Sequence, residues 1–142
     1  MSLAFVTFLM AATVSVASAQ QAGQPPRPST DFELEQNYPN PFNPETRVPF
    51  VLGEGLFQSG QPVRVTIRIY NILSQLVASP TALGHVEGEG VAVDNLEYGS
   101  PGRYEAYWDG HDRSGAQVAS GVYFVQITVN GRSQIKRMLV AK

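Results

Sequence analysis

From Val63 to Tyr70 the chain reads Val-Arg-Val-Thr-Ile-Arg-Ile-Tyr, apolar and polar by strict turns. Successive side chains of a β-strand point to opposite faces, so a period of two commits this segment to a strand with one dry face and one wet face. The same period recurs at Val48, Phe50 and Leu52, and again at Tyr104, Ala106 and Trp108. Phe32 and Leu34, alternating with acids, suit a short edge strand. Gln75 to Ser79 is a short run, and Gly90 to Leu96 is a weak one that offers Val91 and Val93 as inward residues. Gly121 to Val129 is apolar on both parities, as a central strand covered on both sides would be. Asn130-Gly131 then marks a hairpin, because a type I′ turn needs positive φ at both central residues. No window carries a helical period.

Short strands with turn signals about every 8–12 residues define an all-β antiparallel sandwich. Its expected core is Val63, Val65, Ile67, Ile69, Tyr104, Trp108, Val122 and Phe124. Between the first two strands of this pattern, Asn37-Tyr38-Pro39-Asn40-Pro41-Phe42-Asn43-Pro44 excludes helix and central strand alike. Its prolines fix φ and its asparagines can bond neighbouring backbone groups, so it is expected to lie as an ordered strap against the sandwich.

The N-terminus differs from the rest. Leu3 to Val16 is nearly all apolar and ends in Ala17-Ser18-Ala19, the small-x-small pattern of a secretory signal cleaved after residue 19. A membrane-spanning helix needs roughly 20 apolar residues, and this run is shorter and interrupted by Thr7, Thr13 and Ser15. The division expected is a signal peptide over 1–19, a Pro-rich linker over 20–33 and a sandwich over 34–142, with no membrane span in the mature form.

Charge and composition narrow the function. Of 142 residues, 15% are charged, against about 25% in an average domain. The formal net charge of -2 argues against nucleic acid, since phosphate binding needs an excess of Lys and Arg. With no cysteine, disulfides, thiolate zinc, iron-sulfur ligation and a Cys nucleophile are all excluded. His85 and His111 lack any spacing suited to zinc. No G-x-S-x-G elbow or phosphate loop occurs, so neither catalysis nor a cofactor is expected. Asp109 and Asp112, in the run Asp109 to Gly115, could ligate Ca²⁺ together with backbone carbonyls, but Asp, Ser and Gly also build tight turns, the reading favoured here. A carbohydrate- or calcium-binding module would rest on this loop and on Tyr98 and Tyr107.

Five short motifs occur in order: Leu34 to Pro44, Tyr70 to Gln75, Trp108-Asp109-Gly110, Val118 to Phe124 and Lys136 to Leu139. Together they resemble the type A C-terminal sorting domain of type IX secretion cargo, a module related to the Ig-like domain of the flagellar hook-capping protein. The resemblance covers Leu34 to Lys142. It implies a seven-stranded Ig-like sandwich whose partners are the outer-membrane export and surface-attachment machinery. It also implies a secreted protein, or one on the outer surface of a Gram-negative-type bacterium, reached through the periplasm.

Three features depart from the family pattern. Ser74 stands where Gly is usual, the loops 53–61 and 80–102 are long, and only the signal-like stretch and linker precede a domain that normally trails a larger cargo. The alternative is therefore a structural subunit of an extracellular filament or surface layer, polymerising with itself by β-strand addition. Arg132, Lys136, Arg137 and Lys142 leave the last 11 residues with four cations and no anion. They are the candidate docking residues, although Lys and Arg on an edge strand also oppose aggregation.

Overall fold

The computed structural model describes residues 31–142. The stretch expected to be a signal peptide, 1–19, and nearly all of the expected linker lie outside the described residues. Nine strands follow one another: β1 Phe32–Leu34, β2 Thr46–Leu52, β3 Val63–Tyr70, β4 Leu76–Ala78, β5 Thr81–Ala82, β6 Leu96–Tyr98, β7 Gly102–Trp108, β8 Gly121–Val129 and β9 Arg132–Val140. Among the described residues the strand count is thus nine, not seven, because the long 80–102 segment contributes the short β5 and β6. Strand β1 also starts at Phe32, so Phe32 and Glu33 belong to the sheet and not to the linker. Apart from one 3-10 turn at Glu54–Phe57, the described residues hold no helix.

All strand pairs are antiparallel. One sheet runs β1-β2-β7-β5, and the other runs β4-β3-β8-β9 with β6 on β3. Strand β3 pairs with β6 through Val63–Val65 and with β4 through Ile69–Tyr70. Between these two short partners Val93 fills the gap, its carbonyl accepting from Ile67 N at 2.8 Å and its own N–H reaching Pro80 O at 2.9 Å. A segment with little strand pattern is held in place this way.

The two sheets enclose one core, to which β3 gives Val63, Val65, Ile67 and Ile69. Phe50 of β2 meets Tyr98 of β6 edge-on at 5.6 Å, and Trp108 of β7 meets Tyr123 of β8 at 5.8 Å. On β8 the expected face is reversed: Tyr123, Val125, Ile127 and Val129 are buried, while Val122 and Phe124 are half-buried on the outer face. Both parities are apolar there, so the period could not choose, and nothing covers the outer face among the described residues. Tyr104 has the expected orientation but is half-buried, closing the core beside Phe50 and Tyr98.

The hairpins follow their turn chemistry. Asn130 and Gly131 take φ of 51° and 76°, the pair of positive values a type I′ turn requires. In the β3–β4 turn Ser74 is forced to φ 60°, a conformation that costs an L side chain roughly 1 kcal/mol. Ser74→Gly is therefore expected to raise the unfolding free energy by about 1 kcal/mol. In urea titration the midpoint should rise with an unchanged slope; a fall in the midpoint would mean that the Ser74 side chain contributes more than its backbone costs.

Candidate functional site

The five motifs, spread over more than 100 residues, meet at one end of the sandwich, where β3 and β9 finish and β2 and β8 begin. The strap reaches it first. Asn37 is buried, with Nδ2 donating to Thr46 Oγ1 at 3.0 Å and to Pro39 O at 3.2 Å, and Oδ1 accepting from Gln36 Nε2 at 2.7 Å. A buried amide costs free energy unless its hydrogen bonds are made, and here both ends of the side chain are used. The strap then runs along β9. Leu139 N donates to Asn40 Oδ1 at 3.0 Å, Phe42 N to Leu139 O at 3.0 Å and Ala141 N to Phe42 O at 3.1 Å. The ordered strap expected from the prolines and asparagines is thus present.

Phe42, 1% exposed, anchors it against Trp108 with ring centroids 5.4 Å apart. Trp108 Nε1 donates to His111 O at 2.9 Å, and Tyr123 OH to Ala119 O at 2.8 Å. Gly110 sits at φ 78°, where an added Cβ would stand 2.2 Å from Pro44 O. Only glycine lets the strap come this close. The motifs Asn37–Pro44, Trp108–Gly110 and Val118–Phe124 are therefore one packed unit.

The β3–β4 turn borders it. Asn71 Oδ1 accepts from Leu73 N and Gln75 N, both at 3.0 Å, and its Nδ2 donates to Gln75 Oε1. Beside it an open groove of about 710 Å³ is bounded by Asn71, Gln75, Arg113, Gln117 and Tyr123.

The Asp109 to Gly115 loop spends its carboxylates on turns. Asp112 Oδ1 accepts from Ser114 Oγ at 2.6 Å, Ser114 N at 2.9 Å and Ala116 N at 3.0 Å, while Asp109 Oδ1 accepts from His111 N at 2.9 Å. These bonds favour the ionised form and hold the Asp112 carboxyl below the usual range, the Ser114 hydroxyl contributing most. No group of three or more His, Asp or Glu able to hold a metal occurs among the described residues. His85 lies elsewhere, with Nε2 2.7 Å from Glu97 O.

The four candidate docking cations do not form one patch. Arg132 pairs with Asp31 at 2.6 Å and lies over the Phe32 ring at 5.7 Å. Lys136 stands opposite Val125 and Arg137 opposite Phe124, so the period of two sends them to opposite faces of β9. Both are exposed. Lys142 follows the strand, its N–H donating to Ser120 Oγ at 3.1 Å.

The sequence reading missed the two glutamines that join β1, the strap and β9. Gln134 Oε1 accepts from Leu34 N at 2.8 Å and its Nε2 donates to Phe32 O at 2.9 Å, while Gln36 Nε2 donates to Arg137 O at 2.8 Å. Gln134 carries no local signal of this role. On the outer face of the first sheet Tyr38 OH donates to Glu105, which Arg47 and Arg103 also approach. The Tyr38 hydroxyl is the chief reason the Glu105 carboxyl sits below its ordinary value.

The fold and this end define a two-sheet antiparallel β-sandwich whose strap closes on its own last strand. Among solved structures it is similar to dimeric latent PorU from Porphyromonas gingivalis, at 21% identity and a TM-score of 0.51. The likeness covers 77% of this chain and 9% of PorU, and at that identity it speaks to the fold. Neither a family model nor a curated protein matches the chain.

Proposed function

We propose that this sandwich is a non-catalytic Ig-like sorting and anchoring module of the type IX secretion kind, borne by a secreted or outer-surface protein that passes through the periplasm. Its partner is the export and attachment machinery of the outer membrane. The observation that carries this reading is the convergence of all five family-like motifs on one end of the fold, where they build the strap, its Trp108 anchor and the end of β9. The likeness to part of PorU supports the fold component alone.

The alternative, a filament subunit made by β-strand addition, has less support because several positions along the sheet edges already have partners. The strap covers the end of β9, Arg113 N donates to Val77 O of β4, Ala82 N of β5 donates to Val91 O, and Gln134 bridges to β1.

Removing Lys136 to Lys142 also removes the buried Met138 and Val140, so such a deletion mixes misfolding with lost docking. The test is a Lys136→Glu, Arg137→Glu double variant, in which two exposed cations change and no core residue does. Expressed in a type IX-competent cell, it should keep its β circular dichroism spectrum and accumulate in the periplasm. Undiminished surface display of the folded variant would overturn the charged docking role, since an edge protected by charge tolerates either sign.

A further inference from the structure

Two surface features outside the strap complement each other. The first is a knob. Val86 is 97% exposed, and beside it the Glu87 carboxylate has no partner among the described residues. The loop displaying them is braced: Gly84 N donates to Glu89 Oε1 at 2.9 Å, Glu87 N to His85 Nδ1 at 3.1 Å and Gly88 N to His85 O at 2.9 Å. The His85 ring in turn meets Tyr98 edge-on at 4.9 Å. A valine held out in water by this many bonds gains nothing for the folded monomer.

The second is a socket on the outer face of the five-stranded sheet. Tyr70 stands opposite both Phe124 and Leu76, and Ile135, 58% exposed, lies opposite Gln126. Tyr70, Phe124 and Ile135 line a groove of about 390 Å³, ample for a valine side chain. Arg137, opposite Phe124, has no side-chain partner among the described residues. An unpaired cation thus stands next to a groove whose apolar wall is Tyr70, Phe124 and Ile135, where the knob joins an apolar side chain to an unpaired anion.

The knob lies by Tyr98, opposite Val63 at the start of β3, and the socket lies at Tyr70, where β3 ends. They are at opposite ends of the domain. We propose that Val86 of one copy of this chain seats in the Tyr70–Phe124–Ile135 groove of a second copy, with Glu87 facing Arg137. Such a contact is heterologous, so repetition gives an open head-to-tail chain unless the rotation closes it. Assembly of this kind uses side chains on a sheet face and leaves the covered edges undisturbed.

The test is sedimentation velocity of the full chain over rising concentration, with Val86→Ser and Ile135→Ser variants whose β spectra match wild type. Wild type should form concentration-dependent oligomers, and each variant alone should associate about tenfold more weakly or worse, the usual loss for a buried interface anchor. Mixed one to one, the two variants still offer one intact knob and one intact socket, and should form a dimer that grows no further. Glu87→Arg and Arg137→Glu should each weaken association and restore it when combined in one chain. A wild type that remains monomeric, variants that polymerise like wild type, or a mixture without dimers would each overturn the proposal.

Discussion

Phe42→Ala is expected to lower stability by about 3–5 kcal/mol, the range for removing a buried aromatic ring, and to free the strap from β9. The two effects are linked. Phe42 N and O bond Leu139 and Ala141, and the ring between them seats on Trp108. Without the ring, the Pro-rich segment is held on β9 by hydrogen bonds alone, these two and the one from Leu139 N to Asn40, and each contributes only about 1 kcal/mol net. Trp108 is the chain's single tryptophan, so its fluorescence reports the event directly. We expect a lower urea midpoint, emission shifted to the red in the native baseline, and faster amide exchange at Leu139 and Ala141. A loss below about 1 kcal/mol with unmoved emission would mean that the asparagine bonds alone fasten the strap.

The same residues show what the sequence made legible. Strands β3 and β7 could be read with their faces because one parity is apolar and the other polar; Ile67 and Trp108 lie where the alternation puts them. Strand β8 could be located but not oriented. Val122 and Phe124 are as apolar as Tyr123 and Val125, and the choice is made by contacts far along the chain: Tyr123 reaches Trp108, and Phe124 turns to the face it shares with Tyr70. Strands β5 and β6, two and three residues long, are too short to carry a period at all. They form by pairing with β7 and β3, strands far from them in sequence, and the loop between them is tied down where Val93 bonds Ile67.

The site divides in the same way. That the asparagines of the strap would bond backbone was readable from their residue type and their prolines. That Asn40 would close on Leu139, 99 residues away, was not, because no local pattern encodes which edge a strap will cover. The terminal cations were conspicuous as a run, yet a run on a strand is divided between two faces, and Arg132 is taken up by Asp31. Clustering in sequence and clustering on a surface coincide on a helix face or in a loop. On β9 they do not.

Trp108→Ala should have an effect at least as large as Phe42→Ala. Trp108 is 2% exposed and lies between Phe42 of the strap and Tyr123 of the opposite sheet, with ring separations of 5.4 and 5.8 Å. Its removal leaves a cavity that neither the strap nor β8 can fill without moving main chain, for an expected loss of about 3–5 kcal/mol. The His111 carbonyl also loses its Nε1–H donor, which adds about 1 kcal/mol where water cannot replace it. Phe124→Ala removes an aromatic ring from the strand that also carries Tyr123, but from the outer face, and should cost about 1 kcal/mol or less. Chemical denaturation followed by far-ultraviolet circular dichroism measures both variants without relying on the tryptophan. Equal losses would put Phe124 in the core after all. A Trp108→Ala variant within about 1 kcal/mol of wild type would show that the motif end is fastened by the strap's hydrogen bonds and not by packing.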